Sequence, residues 1–150
     1  MAALTIQLRL LCNLMDGLVA IEGGKKTPTG GLFNEVPDRL CDAFTLIGLG
    51  YACRHLWLGV ELGYLATILA FFTAYIRVLG ASLGTKSYFA GPQAKQQRMA
   101  LSTAALTLAA LTCSTWPLII GLWIIVAGSA FTCIRRLSMI TDELNEESET

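Results

Sequence analysis

Apolar residues come in long runs broken by short polar stretches, and each run is near the ~20 residues that a bilayer core requires. The first, Met1 to Ile21, is apolar apart from Thr5, Gln7, Arg9, Asn13 and Asp16. Its first basic residue lies nine residues in and an Asp sits inside it, which argues against a signal peptide and for a transmembrane helix. Glu22 to Pro37 reads as a loop, because Gly23-Gly24, Lys25-Lys26, Pro28 and Gly30-Gly31 are turn chemistry throughout. Asn34 or Glu35 starts the next helix, with Pro37 near its first turn, where a missing N–H is harmless. That helix runs on from Asp38 to about Arg54, and Arg54-His55-Leu56-Trp57 is an interface turn with an aromatic anchor.

A third span follows from Trp57 or Leu58 to about Leu83, with Glu61 near its start and Arg77 late in it. A loop from Gly84 to Arg98 carries Lys86, Tyr88, Gly91-Pro92, Lys95 and Arg98. The fourth span is Met99 to about Cys113, somewhat short, and Ser114-Thr115-Trp116-Pro117 is an uncharged turn. The last span runs from Leu118 to about Ile134 and closes on Arg135-Arg136. The expected architecture is all-α: a polytopic integral membrane helix bundle over residues 1–140, with about five transmembrane helices, and an acidic tail over 141–150 without fixed structure. Small residues such as Gly48, Gly50, Gly80, Ser82 and Gly128 mark helix packing.

Composition sharpens this picture. With 54% hydrophobic and 15% charged residues among 150, the chain is too apolar for an ordinary soluble domain. Its net charge of zero hides an asymmetry, because five of the eleven acids (Asp142, Glu143, Glu146, Glu147, Glu149) lie at the end. The rest of the chain carries 11 basic against 6 acidic residues, a balance that suits anionic lipid headgroups and phosphates. Lys25, Lys26 and Arg39, then Lys86, Lys95 and Arg98, then Arg135 and Arg136 fall on one side of the expected membrane. Arg54 stands alone among the turns on the other. The positive-inside rule therefore turns the first group, and the tail, toward the cytoplasm. The five cysteines (Cys12, Cys41, Cys53, Cys113, Cys133) have no CxxC spacing and His55 is the sole histidine, which argues against a zinc or thiol-redox site.

The chemistry concentrates between Asn13 and Asp42. An ionisable side chain at membrane depth is costly and marks a functional site. Asp38 and Asp42, four apart, share one helix face. Two helices can bring Asn13, Asp16, Asp38 and Asp42 to one point, with Glu35 nearby. Taken singly, each acid reads as a helix-end residue, and Asp38 as a first-turn acid favoured by the helix dipole. Taken together they read as a divalent-metal site, since hard cations such as Mg²⁺ take carboxylate oxygens. Attack by an alcohol on a pyrophosphate builds charge that such ions neutralise, and the attacking hydroxyl must give its proton to a nearby carboxylate.

The pattern Asn13-x-x-Asp16-Gly17-x-x-Ala20, then Asp38-x-x-x-Asp42, resembles the signature of the CDP-alcohol phosphatidyltransferases, D-x-x-D-G-x-x-A-R, a spacer, then G-x-x-x-D-x-x-x-D. The resemblance implies a six-helix, usually dimeric membrane enzyme of phospholipid synthesis with its acidic site facing the cytoplasm. Such enzymes move a phosphatidyl or related group from a CDP-linked lipid to an alcohol or alcohol phosphate and release CMP; no nucleic-acid partner is implied. Asp16, Asp38 and Asp42 match the second, third and fourth acids, which in the family hold Mg²⁺ or Mn²⁺ against the pyrophosphate, with the last, here Asp42, as general base. Gly17 and Ala20 match the small residues that let cytidine approach the backbone. Arg77 in AYIRVLG and Gly91, Pro92, Lys95 and Arg98 in GPxxKxxR look like basic residues that some members place around the phosphates.

This chain departs from the pattern at four places. Asn13 stands at the first acid, Ile21 at the usual Arg and Asn34 at the Gly before the third acid, and the spacer Glu22–Phe33 is longer. The form NLMDGLVAIEGGK…NEVPDRLCD resembles a bacterial branch with Asn at the first acidic position, and Glu35 is the candidate to replace the missing charge. Five of the implied six helices are expected here, the first being absent. The competing expectation is a truncated or degenerate non-catalytic membrane protein of the same fold. The acceptor alcohol is not legible from these residues.

Overall fold

A computed structural model describes residues 2–22, 29–85, 91 and 93–148. Five helices, α1 (Ala2–Glu22), α2 (Gly30–Ala52), α3 (Gly59–Ser82), α4 (Lys95–Thr112) and α5 (Trp116–Ser148), account for the secondary structure, with no strand among the described residues. Helix α3 lies against both α2 and α5, and α4 joins α5 to α1. Small residues set the closest of these approaches: a Cβ on Gly50 would lie 2.9 Å from the Gly63 Cα, so α2 and α3 meet backbone to backbone. Around that contact Leu46, Leu49, Leu62, Ala66, Leu122 and Ile125 form the core.

Large apolar side chains also face outward. Phe44, Trp57, Phe72, Leu111, Trp116 and Ile134 are all more than half exposed. So many large apolar side chains facing outward suit contact with lipid or a partner surface. Helix α3 and the Trp116–Glu146 portion of α5 are long and apolar enough to cross a membrane, as the third and fifth expected spans require.

Three boundaries differ from the sequence expectation. Helix α2 begins at Gly30, not at Asn34 or Glu35, so Pro37 sits inside the helix instead of near its first turn. Proline there removes the N–H that would bond the Phe33 carbonyl, a cost of roughly 3 kcal/mol in a helix interior. Ion pairs tie the flanking turns together: Glu35 Oε1 accepts from Arg39 Nη2 at 2.9 Å and from Arg77 Nη2 of α3 at 2.8 Å. Helix α4 begins at Lys95, which puts Lys95 and Arg98 in its first turn and not in a loop. Helix α5 continues past Ile134 to Ser148, so most of the acidic tail is helical, contrary to the expectation of a tail without fixed structure. Its extension is held by packing: Ile140 lies over Gly80, where a Cβ would meet its Cδ1 at 2.6 Å, and Leu144 joins the cluster of Ile76, Cys133 and Ile140.

Candidate functional site

Helix periodicity places Asp38 and Asp42 one turn apart on α2, and both are turned inward, 7% and 2% exposed. Basic side chains from two other helices meet them. Arg9 of α1 donates through Nη2 to Asp42 Oδ1 at 2.7 Å, to Asp38 Oδ1 at 3.1 Å and to the Asp38 carbonyl at 2.8 Å. Lys95 of α4 donates to Asp38 Oδ2. Arg98, one turn further along α4, approaches Asp42 Oδ2 with Nη2 at 3.4 Å, and Arg39 Nη1 lies 3.9 Å from the same oxygen. Each carboxylate is thus shared by cations from separate helices, which offsets the cost of burying its charge.

Arg98 is the deepest member, only 1% exposed. Its Nη1 donates to the Gln93 carbonyl at 2.8 Å and to Thr73 Oγ1 at 3.3 Å, which links the carboxylate centre to α3. The Thr73 carbonyl accepts from Nη1 of Arg136 of α5 at 2.6 Å. The backbone N–H of Gln93 donates to Thr132 Oγ1 at 3.3 Å, and a Cβ on Gly91 would lie 2.3 Å from the Thr132 Cγ2. Gly91 adopts φ +134°, which a side chain would strain, so glycine lets the segment before α4 press onto α5. The Nε atoms of Arg39 and Arg98 and Oε1 of Gln93 are buried without a protein hydrogen-bond partner. Polar atoms in this state commonly take up water or a polar ligand.

Of the expected site residues, Asp38, Asp42, Lys95 and Arg98 come together. Arg77 and Glu35 pair with each other one shell away, with Arg39 bridging Glu35 to Asp42. The side chains of Asn13, Asp16, Gly17 and Ala20, on the latter half of α1, lie outside the described residues, as do Lys86, Tyr88 and Pro92. No group of three His, Cys, Asp or Glu that could hold a metal occurs among the described residues. Sequence reasoning passed over Arg9, Arg39, Thr73 and Arg136. The signal for Arg9 was in plain view, an arginine in an apolar run, and the rule that singled out Asp16 applies to it equally.

The fold and this centre define a helical bundle with, among the described residues, two candidate membrane-crossing helices and a buried carboxylate–cation cluster. No family model matches the chain. An uncharacterized protein of Aquifex aeolicus (strain VF5) is 31% identical over 139 residues, which is 91% of this chain and 67% of that protein. The chain belongs to the same family as that protein.

Proposed function

We propose that this chain is a polytopic membrane enzyme that transfers a phosphatidyl, or other substituted phosphate, group from a CDP-linked lipid to an alcohol or alcohol phosphate and releases CMP. The observation that carries the reading is the pair Asp38 and Asp42, buried one turn apart and met by Arg9, Lys95 and Arg98 from two other helices. That pairing supports the resemblance of the Asn13–Asp42 stretch to the CDP-alcohol phosphatidyltransferases. In this reading all five helices cross a bacterial inner membrane and the carboxylate end faces the cytoplasm, as the basic loops suggest. A homodimer follows from the same resemblance.

In this reading a divalent cation, Mg²⁺ or Mn²⁺, would take the hard oxygens of Asp38 and Asp42 in place of the basic side chains that meet them here. Asp38 and Asp42 would hold it, with Asp16, Asn13 and Glu35 as further oxygen donors, and it would supply neutralisation of charge on the pyrophosphate. The residues of the chain do the remainder. Lys95 and Arg77 would hold phosphate oxygens, while Arg98, buried on Asp42, Thr73 and the Gln93 carbonyl, keeps Asp42 in place. By the same resemblance, Gly17 and Ala20 would admit a flat base. The alcohol oxygen forms its bond to the lipid-linked phosphorus as the bond from that phosphorus to the CMP oxygen breaks. The hydroxyl proton passes to Asp42, and CMP departs with the electron pair of the broken bond.

The test is direct. Membranes containing this chain, given a CDP-linked lipid, candidate alcohols and Mg²⁺ or Mn²⁺, should release CMP, and Asp42→Asn should abolish release. Equal background release from both proteins would overturn the proposal.

A further inference from the structure

The carboxylate oxygens of Asp38 and Asp42 are divided between two sides of the centre. The Oδ2 atoms face Lys95 on Asp38, and Arg98 and Arg39 on Asp42. The Oδ1 atoms face α1, where a single nitrogen, Arg9 Nη2, lies 3.1 Å from Asp38 Oδ1 and 2.7 Å from Asp42 Oδ1. That nitrogen stands at the one point shared by both residues. A divalent cation bridging the same two oxygens needs that point, because oxygens approach Mg²⁺ to about 2.0–2.1 Å. Guanidinium and metal ion therefore exclude one another there, while the contacts on Oδ2 are compatible with either.

The two sides are not held alike. Arg98 is 1% exposed and fixed by Thr73 and the Gln93 carbonyl. The Arg9 side chain is 18% exposed, and its helix is lightly seated. Helix α1 lies along α4 and, among the described residues, along no other helix. Toward α2 it faces a groove of about 330 Å³, with Thr5 and Ile6 on one wall and Phe44, Thr45 and Gly48 on the other. Arg9 is the ionic bridge across that gap. We infer that Arg9 is a latch: it holds α1 against Asp38 and Asp42 in exchange with a divalent cation, and cation binding frees α1 from α2. The exchange leaves neither buried carboxylate without a counter-charge, which is what makes it affordable. This deepens the proposed function, on whose cation it rests, by making access to the carboxylates a movement of α1.

The test reads binding and motion, not turnover. Mn²⁺ is titrated into the full-length chain in mixed micelles, and the free ion is followed by its electron paramagnetic resonance signal. Arg9→Gln should bind Mn²⁺ about tenfold more tightly than wild type, a typical size for two coupled binding events. Arg9→Lys, which keeps the charge but lacks the guanidinium fork, should fall between them and covers the case in which Arg9→Gln does not fold. Gln7→Leu removes the 2.8 Å hydrogen bond from Gln7 to Thr103 that ties α1 to α4, and should bind as wild type does. For the motion, Cys12→Ser, Cys41→Ser and Cys113→Ser remove the exposed thiols, and spin labels go on Leu8→Cys of α1 and Phe72→Cys of α3, both exposed positions. Diamagnetic Mg²⁺ should lengthen the distance between the labels. With Arg9→Gln added, the longer distance should be present without the ion.

Equal Mn²⁺ affinity in wild type and Arg9→Gln, the same gain from Gln7→Leu, or a label distance indifferent to Mg²⁺ would overturn the latch. Failure of every variant to bind Mn²⁺ would remove the cation site and the latch with it. Latch behaviour without Asp42-dependent CMP release would instead sink the enzymatic reading and leave a cation-gated helix. Asp42-dependent release with no tightening in Arg9→Gln would sink the latch alone.

Discussion

Arg9 is the most informative residue to remove, because one guanidinium nitrogen serves both carboxylates of the candidate site. In Arg9→Met the side chain keeps its length and apolar stem, and Asp42 Oδ1 loses its 2.7 Å partner. Asp42, 2% exposed, is then left with Arg98 at 3.4 Å and Arg39 at 3.9 Å, while Asp38 keeps Lys95. Taking one partner from a buried ion pair costs about 3–5 kcal/mol when the other charge is left alone. Here other cations remain and the Arg9 side chain is 18% exposed, which reduces the expected loss to about 2–3 kcal/mol. Asp42→Asn removes the charge that Arg9 answers, so the double variant should be less damaged than the sum, by about 1–2 kcal/mol of coupling. The assay is equilibrium unfolding of the purified chain in mixed micelles, wild type against both single variants and the double. Strict additivity, or an Arg9→Met protein within about 0.5 kcal/mol of wild type, would refute the ion-pair argument.

Four further outcomes follow from packing, burial and exposure. Gly63→Leu should destabilise by at least about 2–3 kcal/mol or prevent folding, since its first side-chain atom would lie 2.9 Å from the Gly50 Cα; circular dichroism melts check this. Ile140→Ala, at a 7% exposed position over Gly80, should cost about 2 kcal/mol and release the α5 extension to proteolysis, whereas an unstructured tail would be indifferent. Cys53, fully buried in the turn after α2, has its thiol pushed up by burial, so at pH 8 it stays protonated and resists maleimide. Exposed Cys113, in the turn after α4, should react with a membrane-impermeant maleimide added outside intact cells; labelling only after lysis would reverse the proposed orientation.

The helices were legible because each is an apolar run of nearly fixed length between breakers, a pattern that needs no tertiary information. Their ends were less so. Pro37 reads as a start signal, but the ion pairs of Glu35 with Arg39 and Arg77 hold a helical turn ahead of it, and Arg77 is 42 residues away in the chain. The acidic composition of the last residues likewise reads as solvated chain. Only the packing of Ile140 and Leu144 against α3 and the rest of α5 reveals why the helix persists. In both cases a contact between distant segments overrides the local signal.

The candidate site divides in the same way. Asp38 and Asp42 were found from spacing alone, since four residues apart on a helix fixes a common face. That Lys95 and Arg98 belong beside them is a property of how α4 crosses α2, which no spacing encodes. The basic residues were read first as charges near a membrane surface, where a guanidinium snorkels to water. Arg98 does not snorkel: it is 1% exposed, and it spends its donors on Asp42, Thr73 and the Gln93 carbonyl. An arginine desolvated to that degree persists only where the fold supplies compensating charge and acceptors. The basic and acidic members of this centre are therefore one device, and removing either kind should disturb the other.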